Sequence, residues 1–282
     1  MNVSFLNIIK IYCLIIGFYF LLNNSFNKSK NLGNFIYNEL DCTEKLQKII
    51  GLKKVVYTII LGRYDKPKRF SKQKGYDYFL FTDDNSIERY KNSNWTLLKV
   101  PDEVKNLNVS TVKMQRFLKL HPHLYFPNYE LSIYIDGTII IKGNLDEFLL
   151  RILTPKFYFY TFEHPERNSI FQEIKAVVQL KKEKRSLAEI VYKKYVEEKY
   201  PNNNGLIESF LLIRKHNDKQ CINIMNKWYS EIKNYSHRDQ LSFNYIIWKN
   251  DIKMKYISKR YALHYFTKKT HLISKIYVDN KK

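Results

Sequence analysis

Cysteine is scarce in this chain, which has only three such residues, Cys13, Cys42 and Cys221, among 282. None of them has the close spacing typical of a zinc site, and the three do not make a disulfide framework. A single bond between Cys42 and Cys221 and a set of buried thiols are both compatible with this pattern. The sequence therefore does not indicate a disulfide-stapled or zinc-stapled domain.

Acidic residues and arginines are few relative to lysines. The chain has 27 Asp and Glu against 48 Lys and Arg, which gives a formal net charge of +21, and only ten of the 48 are Arg. Proteins that read nucleic acids rely on arginine forks and on recognisable modules. Zinc-finger spacing, an RRM core motif and basic heptads are all absent from the sequence, and its wealth of Lys, Asn, Ile, Tyr and Phe is typical of AT-rich coding. We therefore expect no nucleic-acid partner.

An apolar run near the start of the chain, Phe5–Leu22, is long enough to cross a membrane. Eighteen helical positions reach about 27 Å, close to the thickness of the hydrocarbon core of a bilayer. The segment that follows has no small-residue cleavage site, so an uncleaved anchor is favoured over a cleaved signal peptide, which is the alternative.

These observations predict a signal-anchor transmembrane helix at residues 1–22, a stalk at 23–45 and a folded domain at 46–282. The protein is then a single-pass membrane protein. The side of the membrane on which its folded domain lies stays open, and it would be a Golgi-like lumen in a eukaryotic cell. Apolar residues make up 45% of the chain and aromatic residues 16%, which is enough for one enlarged core.

Short apolar runs alternate with helical periodicity along the predicted domain. The runs at 53–61, 76–84, 96–101 and 131–141 are rich in β-branched and aromatic residues, as buried strands are. Segments with helical spacing lie between and after them. This alternation predicts an α/β fold with a mostly parallel, doubly wound sheet flanked by helices, whose ligands bind beyond the carboxyl ends of the strands.

Acidic residues stand where two of these strands end. Asp136 and Gly137 interrupt the run 131–141, which is typical of a strand-end carboxylate in a ligand crevice, with a glycine that lets a phosphate approach. A simple Asp-Gly turn between two hairpin strands is the alternative. Asp83 and Asp84 end the second run, where they either bind a ribose or base edge or cap a helix.

Further polar clusters lie in the second half of the chain. Arg167, in the segment HPERN with Glu173 downstream, either contacts a diphosphate or merely starts a helix. Arg238 and Asp239 begin an apolar helix. Asp239 orients an acceptor hydroxyl or acts as a base while Arg238 offsets phosphate charge, or Asp239 pairs with Ser236 in a variant of the capping box, and both can hold at once. His264 lies among aromatic residues near the C-terminus, as a phosphate or metal ligand or as a packed core residue.

Taken together, ordered segments of this sequence resemble a glycosyltransferase-like family that was long catalogued as a domain of unknown function. Its members occur among plant mucilage- and wall-related proteins and in bacterial surface-polysaccharide loci. The matching segments are VVYTIILGRYD, GYDYFLFTDD, YIDGTIII, HPERN, NNGLIESFLLIRKHN and SHRDQLSFNYIIWK, from about Lys53 to Lys249.

This resemblance implies a GT-A fold, a nucleoside-diphosphate-sugar donor, and Asp136 in the position of the metal- and donor-binding DxD element. Thr138 replaces the second carboxylate of that element, which puts Mn²⁺ or Mg²⁺ dependence in question, although His264 resembles a late metal-binding histidine. The resemblance also implies that Asp83 or Asp84 binds the nucleoside, and that Glu208 and Asp239 face the donor or acceptor sugar.

The function predicted from the sequence is transfer of a sugar from a nucleoside-diphosphate-sugar donor to a glycan or lipid-linked acceptor. The catalytic residues predicted are Asp239, as base, and Asp136; the donor-binding residues predicted are Asp83, Asp84, Asp136, Gly137, Arg167, Glu208 and Arg238; the metal ligands predicted are Asp136 and His264. A hydrolase that uses paired carboxylates such as Asp136 and Asp239 is one alternative. A non-enzymatic basic module that binds a membrane surface or nucleic acid is the other.

Overall fold

The computed structural model describes residues 42–62, 65–252 and 254–269. The predicted transmembrane helix and most of the predicted stalk lie outside these residues. Within the described ranges, no helix is both long enough and apolar enough to cross a membrane. Residues 42–51 are helical, so the last positions of the predicted stalk have regular structure.

The described chain divides into two compact units. The smaller one comprises residues 42–52 and 144–153, and the larger one comprises residues 53–143 and 154–269. The larger unit contains every strand and every residue of the predicted site. In the described ranges the strands are β1 (Lys54–Ile60), β2 (Tyr76–Thr82), β3 (Thr96–Lys99), β4 (Leu131–Ile135), β5 (Ile139–Ile141), β6 (Phe159–Glu163), β7 (Ile207–Arg214), β8 (Lys255–Ile257) and β9 (Phe266–Lys268).

Helices follow most of the strands, and several begin with a side-chain cap. Ser110 accepts a hydrogen bond from the Lys113 amide at the start of α4, and Asp218 accepts from two amides at the start of α9. The helices are α1 (42–51), α2 (Asp84–Tyr90), α3 (Asp102–Lys105), α4 (Thr111–Leu120), α5 (Pro122–Tyr125), α6 (Leu145–Ile152), α7 (Ile170–Gln179), α8 (Arg185–Glu197), α9 (Lys219–Asn234), α10 (Phe243–Lys249) and α11 (Lys259–Ala262), with a 3₁₀ turn at Asp239–Leu241.

The main sheet has seven strands in the order β3-β2-β1-β4-β7-β6-β8. Four of its neighbouring pairs are parallel, and β7 runs antiparallel to both of its neighbours. The predicted α/β fold with a mostly parallel sheet is confirmed. Because the order reverses at β1, the ligand crevice of such a sheet is expected beyond the carboxyl ends of β1 and β4.

The segment around Asp136 does not form the hairpin that was its alternative interpretation. β4 pairs with β1 and β7 in the main sheet, whereas β5 pairs with β9 in a separate two-stranded sheet. The residues between β4 and β5 therefore carry the chain from one sheet to the other at the carboxyl edge of β4.

The core of the larger unit is rich in aromatic residues, as the composition predicts. All seven residues of β1 and all five of β4 are buried, which is the pattern of central strands covered on both faces. Cys221 is also buried and forms no disulfide, and burial raises the pKa of its thiol to about 12. Of the two alternatives for the cysteines, the structure supports the buried thiol for this residue.

Candidate functional site

Asp136 follows β4 at the edge of the main sheet, where the chain emerges from the core. Its backbone amide donates to the Phe210 carbonyl at 2.8 Å, which fixes it beside β7. The Tyr134 hydroxyl donates to Asp136 Oδ1 at 2.6 Å, and Lys119 Nζ lies 3.9 Å from the same oxygen. The side chain is 37% exposed, so this carboxylate is held from inside the protein and faces solvent.

The turn that contains Asp136 and Gly137 has a packing reason for its glycine. A Cβ atom on Gly137 would lie 3.0 Å from Cγ1 and 3.2 Å from Cδ1 of Ile60, which ends β1. The Ile139 amide closes the turn by donating to the Asp136 carbonyl at 2.9 Å. The glycine therefore permits close approach of β1. Thr138 is 1% exposed, so it replaces the second carboxylate of the DxD pattern with a buried residue.

A second carboxylate, Asp239, lies close by but is buried and only 3% exposed. Its Oδ2 atom is 2.7 Å from Lys119 Nζ and 3.4 Å from Arg116 Nε, and it accepts from Ser209 Oγ at 2.9 Å. Burial alone raises the pKa of Asp239, but the charges of Arg116 and Lys119 outweigh it and hold this pKa well below its usual range. Asp239 is therefore a charged counter-ion at neutral pH, a state that suits the positioning of cations better than proton abstraction.

Lys119 connects the two carboxylates from the last turn of α4. Its ammonium is 1% exposed and also donates to the Ser209 carbonyl at 2.7 Å. Burial lowers the pKa of Lys119, while Asp239 and Asp136 oppose that effect. The short contacts to Asp239 are those of an ammonium paired with a carboxylate.

The position of Lys119 is itself fixed by the end of its helix. The Lys119 carbonyl, which has no partner inside α4, accepts from the Tyr57 hydroxyl at 2.6 Å and from Arg214 Nη1 at 2.9 Å. Arg214 and Tyr57 are fully buried. An arginine at a helix C-terminus satisfies free carbonyls and offsets the negative end of the dipole, so these contacts anchor the lysine.

Tyr134 is oriented by a second residue of α4. Gln115 Nε2 donates to the Tyr134 hydroxyl at 2.9 Å, and that hydroxyl donates in turn to Asp136. Burial and the charge of Asp136 raise the pKa of Tyr134 well above its usual range, so the hydroxyl keeps its proton. Gln115, Tyr134 and Asp136 therefore form a directed chain of hydrogen bonds from helix to strand end.

Sequence reasoning missed this supporting set of residues, namely Gln115, Arg116, Lys119, Tyr134 and Ser209. Two signals were available. Gln115 and Lys119 are four positions apart, so they lie on the same face of α4. Tyr134 lies two positions before Asp136, so the two side chains project to the same side of the strand.

The segment before Asp239 does not form the capping box that was one alternative. Ser236 Oγ accepts from the Arg238 amide at 3.0 Å and donates to Glu183 Oε2, and Asp239 Oδ1 accepts from the Gln240 amide at 3.1 Å. The capping interpretation was therefore wrong. Arg238 Nη2 donates to Gln240 Oε1 at 3.4 Å, and Arg238 Nε is buried without a hydrogen-bond partner among the described residues.

Asp83 and Asp84 separate into two environments at the end of β2. Asp83 Oδ2 accepts from the Gly62 amide at 2.6 Å, which joins the carboxyl ends of β2 and β1, and its Oδ1 has no partner within the described ranges. Asp84 lies in the first turn of α2 and pairs with Lys105 at 3.0 Å and Lys99 at 3.5 Å. Asp84 therefore behaves as a solvated helix-start residue, whereas Asp83 belongs to the edge of the sheet.

Arg167 follows β6 and is bound within its own loop. Its Nε atom is 2.7 Å from Glu173 Oε2, and its Nη2 atom is 2.9 Å from His164 Nε2. The His164 amide donates to the Leu206 carbonyl at 2.8 Å, so this loop lies beside the start of β7.

Glu208 and His264 make none of the hydrogen bonds or ion pairs described above for Lys119, Asp136 and Asp239. Glu208, the neighbour of Ser209 in β7, pairs with Lys268 at 3.1 Å. His264 is exposed in the turn before β9. Among the described residues, no three His, Cys, Asp or Glu side chains form a group that could hold a metal ion. Metal binding by Asp136 together with His264 stays a prediction.

Comparison with known families identifies the class of this protein. The family model described as a TOD1/MUCI70 glycosyltransferase-like domain matches residues 26–272. The protein is therefore an enzyme of the glycosyltransferase class, and the family resemblance of its ordered segments is confirmed. More narrowly, the chain belongs to the TOD1/MUCI70 glycosyltransferase-like family.

Solved glycosyltransferase structures are also similar to this chain. The apo form of mouse xyloside xylosyltransferase 1 has 9% identity and a TM-score of 0.47, covering 72% of this chain and 85% of that one. The apo structure of the bifunctional glycosyltransferase WbbM has 12% identity and a TM-score of 0.45, covering 87% of this chain and 52% of that one. No curated protein matches the chain by sequence.

Proposed function

We propose that this enzyme transfers a sugar from a nucleoside-diphosphate-sugar donor to a glycan or lipid-linked acceptor, with the donor bound at the carboxyl edge of β1, β2 and β4. The observation that carries the proposal is Asp136, the half-buried carboxylate that Tyr134 and Lys119 hold at the reversal point of the sheet. Family membership supports the reaction class, and the residue roles below are our assignments.

The donor's charged and polar groups have matching partners along this edge. Asp83, whose Oδ1 has no partner in the described part of the chain, is suited to a ribose hydroxyl beside Gly62. Arg116 and Arg238 are suited to the diphosphate, because both lie close enough to Asp239 to lower its pKa and neither guanidinium is fully hydrogen-bonded. Cations that are already fixed stabilise a leaving group without reorganising during the reaction.

Asp239 is assigned a positioning role in this scheme. A general base needs a pKa near the working pH and access to the acceptor hydroxyl. Asp239 has neither, since it is buried and its pKa is held low by Arg116 and Lys119. Its charge instead keeps these two cations in place.

A divalent cation fits this site only as part of a donor complex. Asp136 is one carboxylate, its Oδ1 already accepts from Tyr134, and Thr138 is buried. Mg²⁺ and Mn²⁺ take oxygen ligands, and Mg²⁺ is commonly held by one or two carboxylates together with substrate phosphates. Asp136, with His264 as a second candidate, would hold such an ion, and the ion would supply charge neutralisation at the diphosphate.

The hydrolase alternative is disfavoured by the same geometry. A glycosidase needs one carboxylic acid with a raised pKa to protonate the leaving group. Asp239 is the opposite case, because Lys119 and Arg116 lower its pKa.

We further propose that the enzyme is attached to a membrane through the apolar run Phe5–Leu22. This segment lies outside the described residues.

The proposal is tested by nucleotide binding to the full chain in detergent, measured as a thermal shift with UDP, GDP, CMP and their sugars, with and without Mn²⁺. A ligand at a hundredfold excess over its Kd stabilises the folded state by about 2.7 kcal/mol. We expect one nucleotide class to raise Tm, and Asp136→Asn to weaken its affinity at least tenfold.

The matched control is Asp102→Asn, which removes a carboxylate that is 87% exposed in α3. This variant should bind the nucleotide as the unmodified chain does. If no nucleotide raises Tm, or if both variants lose affinity equally, the donor site proposed here is wrong.

A further inference from the structure

Two adjacent depressions, together called the groove here, lie at the outer edge of the main sheet, beside α10 and β8, the last strand in the described sheet order. The groove consists of depressions of about 300 Å³ and about 510 Å³ that share the lining residues Asp251, Ile252 and Met254. Neither Asp136 nor Asp239 lines it. It is therefore separate from the site described above.

The smaller depression combines side-chain amides with aromatic rings. Asn204, Asn244, Trp248 and Tyr256 line it. Asn244 is 1% exposed, and its Nδ2 donates to the Asn204 carbonyl at 3.3 Å and to the Tyr256 hydroxyl at 3.0 Å. Because Nδ2 has these two acceptors, the orientation of the amide is defined and Oδ1 is the remaining polar atom.

Asn244 Oδ1 has no hydrogen-bond partner in the described part of the chain. A buried acceptor without a partner costs about 1–3 kcal/mol, so such atoms are uncommon unless a ligand or an ordered water completes them. The loop beside it is also under conformational constraint, since Gly205 has a φ of +81° and a Cβ there would lie 3.0 Å from Asn244 Nδ2. The backbone therefore closes on this amide and holds it in the groove wall.

The larger depression has the same mixed chemistry. Phe157 and Tyr158 supply rings, Gln220 and Asn223 supply amides, and Lys227 supplies one of two lysines. Amides both donate and accept, and rings cover apolar faces, so this lining suits a ligand that has many hydroxyl groups and alternating apolar faces. A lipid tail needs a more apolar lining, and a nucleic acid needs more cations than two lysines beside Asp251.

Two short segments connect the groove to the site around Lys119. Asn204 in the groove and Ser209 at Lys119 are five residues apart, a span of at most about 17 Å. Asp239 at Lys119 and Asn244 in the groove are also five residues apart along the chain. The smaller depression therefore lies within a short length of chain of the site around Lys119, close enough for an acceptor bound there to reach the proposed donor site.

We propose that this groove binds the acceptor, and that the acceptor is an oligosaccharide chain whose uncharged sugar units lie on Trp248 and Tyr256 and bond to Asn204 and Asn244. This inference rests on the proposed glycosyltransferase function, because it names the substrate class that the enzyme elongates. The groove supplies affinity for sugar units behind the acceptor end, and the carboxyl edge of the sheet supplies the donor.

Tryptophan fluorescence gives a readout specific to this groove. The chain has three tryptophans. Trp95 and Trp228 are 6% and 0% exposed, whereas Trp248 is partly exposed and lines the groove. The full chain in detergent is titrated with neutral and uronate-bearing oligosaccharides, from disaccharides to octasaccharides, and Trp248→Phe identifies the signal that arises in the groove.

We expect saturable quenching whose affinity rises with chain length and which disappears in Trp248→Phe. Asn244→Ala and Asn204→Ala should each weaken this affinity at least tenfold while the nucleotide thermal shift is unchanged. If loss of the buried Asn244 amide prevents folding, Asn223→Ala provides a second variant, because Asn223 is exposed. It should weaken binding of the longer oligosaccharides only.

The inference is overturned if no oligosaccharide quenches Trp248, if the groove variants bind as the unmodified chain does, or if vesicles of anionic lipid occupy the groove in their place. These results are distinct from failure of the proposed function. Absence of any nucleotide-induced shift contradicts the donor site, whereas loss of oligosaccharide binding with the nucleotide shift intact contradicts only the acceptor groove.

Discussion

The charge of Asp239 is predicted to stabilise the fold by several kcal/mol, and Asp239→Asn is the variant that tests it. The substitution keeps the shape of the side chain but removes the carboxylate that lies 2.7 Å from Lys119 and 3.4 Å from Arg116. Lys119 is 1% exposed, and its other carboxylate, Asp136, is 3.9 Å away. The variant therefore leaves a buried ammonium that keeps its hydrogen bonds to Ser209 but loses its nearest carboxylate.

Breaking one partner of a buried ion pair costs about 3–5 kcal/mol. Since Asp136 still lies near Lys119, we expect the lower end of this range, about 3 kcal/mol, in the free energy of urea unfolding. Asp84→Asn is the matched control, because its pairs with Lys105 and Lys99 are at the surface. We expect no measurable change in the midpoint of urea unfolding for the control.

A double-mutant cycle isolates the pair from other effects of each substitution. Lys119→Met removes the unpaired ammonium, so the double variant Lys119→Met, Asp239→Asn should be more stable than the sum of the two single losses predicts. We expect a coupling energy of about 2 kcal/mol. Strictly additive losses would show that the two charges do not stabilise each other, and the structural reasoning would then be wrong.

The stability lost in Asp239→Asn is expected to depend on pH in one direction. The pKa of Asp239 is lower in the folded state than the value of about 3.9 in an unfolded chain, so its contribution is fully present above that value. It is lost as the pH falls below about 4, because protons then bind the unfolded state first. The difference in unfolding free energy between the unmodified chain and Asp239→Asn should therefore shrink only on the acid side.

Three other substitutions test separate parts of the structure. Tyr134→Phe removes the donor to Asp136 and should weaken nucleotide affinity several-fold while costing only about 1 kcal/mol of stability, measured by titration and urea unfolding. Gly137→Ala should cost about 1–3 kcal/mol because the new Cβ meets Ile60, and a second substitution, Ile60→Val, should recover part of that loss. Burial lowers the pKa of His121 to about 4, so unfolding free energy should fall as pH drops from about 6.5 towards 4, and His121→Gln should flatten that slope.

The positions of the strands and helices were predictable, whereas the pairing of strands was not. β1 and β4 are buried on both faces, so the sequence shows them as mainly apolar runs without alternation. β7 is buried in the same way and its sequence resembles theirs, yet it runs antiparallel between β4 and β6. The hydrophobic pattern of a strand reflects which of its residues are buried and not the direction in which the strand runs. The pairing of β5 with β9 also depends on contacts between distant parts of the chain.

The carboxylate at the end of a strand could be predicted from the sequence, whereas the buried lysine beside it could not. Asp136 was identified because it interrupts an apolar run. Lys119 gave no such signal, since one lysine in a helix is unremarkable in a chain with 48 basic residues. Its role depends on burial beside Asp239, a contact across 120 positions that only the fold creates.

The charges at this edge indicate how Asp239 would influence the binding of the proposed donor. Arg116, Lys119 and Arg238 all lower the pKa of Asp239, so three cations lie near two carboxylates, Asp239 and Asp136, and one positive charge remains in excess there. In the proposed function that excess charge binds the diphosphate, and Asp239 keeps the cations in place before the donor binds. Loss of Asp239 should therefore weaken both stability and nucleotide affinity, whereas loss of Asp136, which is 37% exposed, should weaken affinity alone.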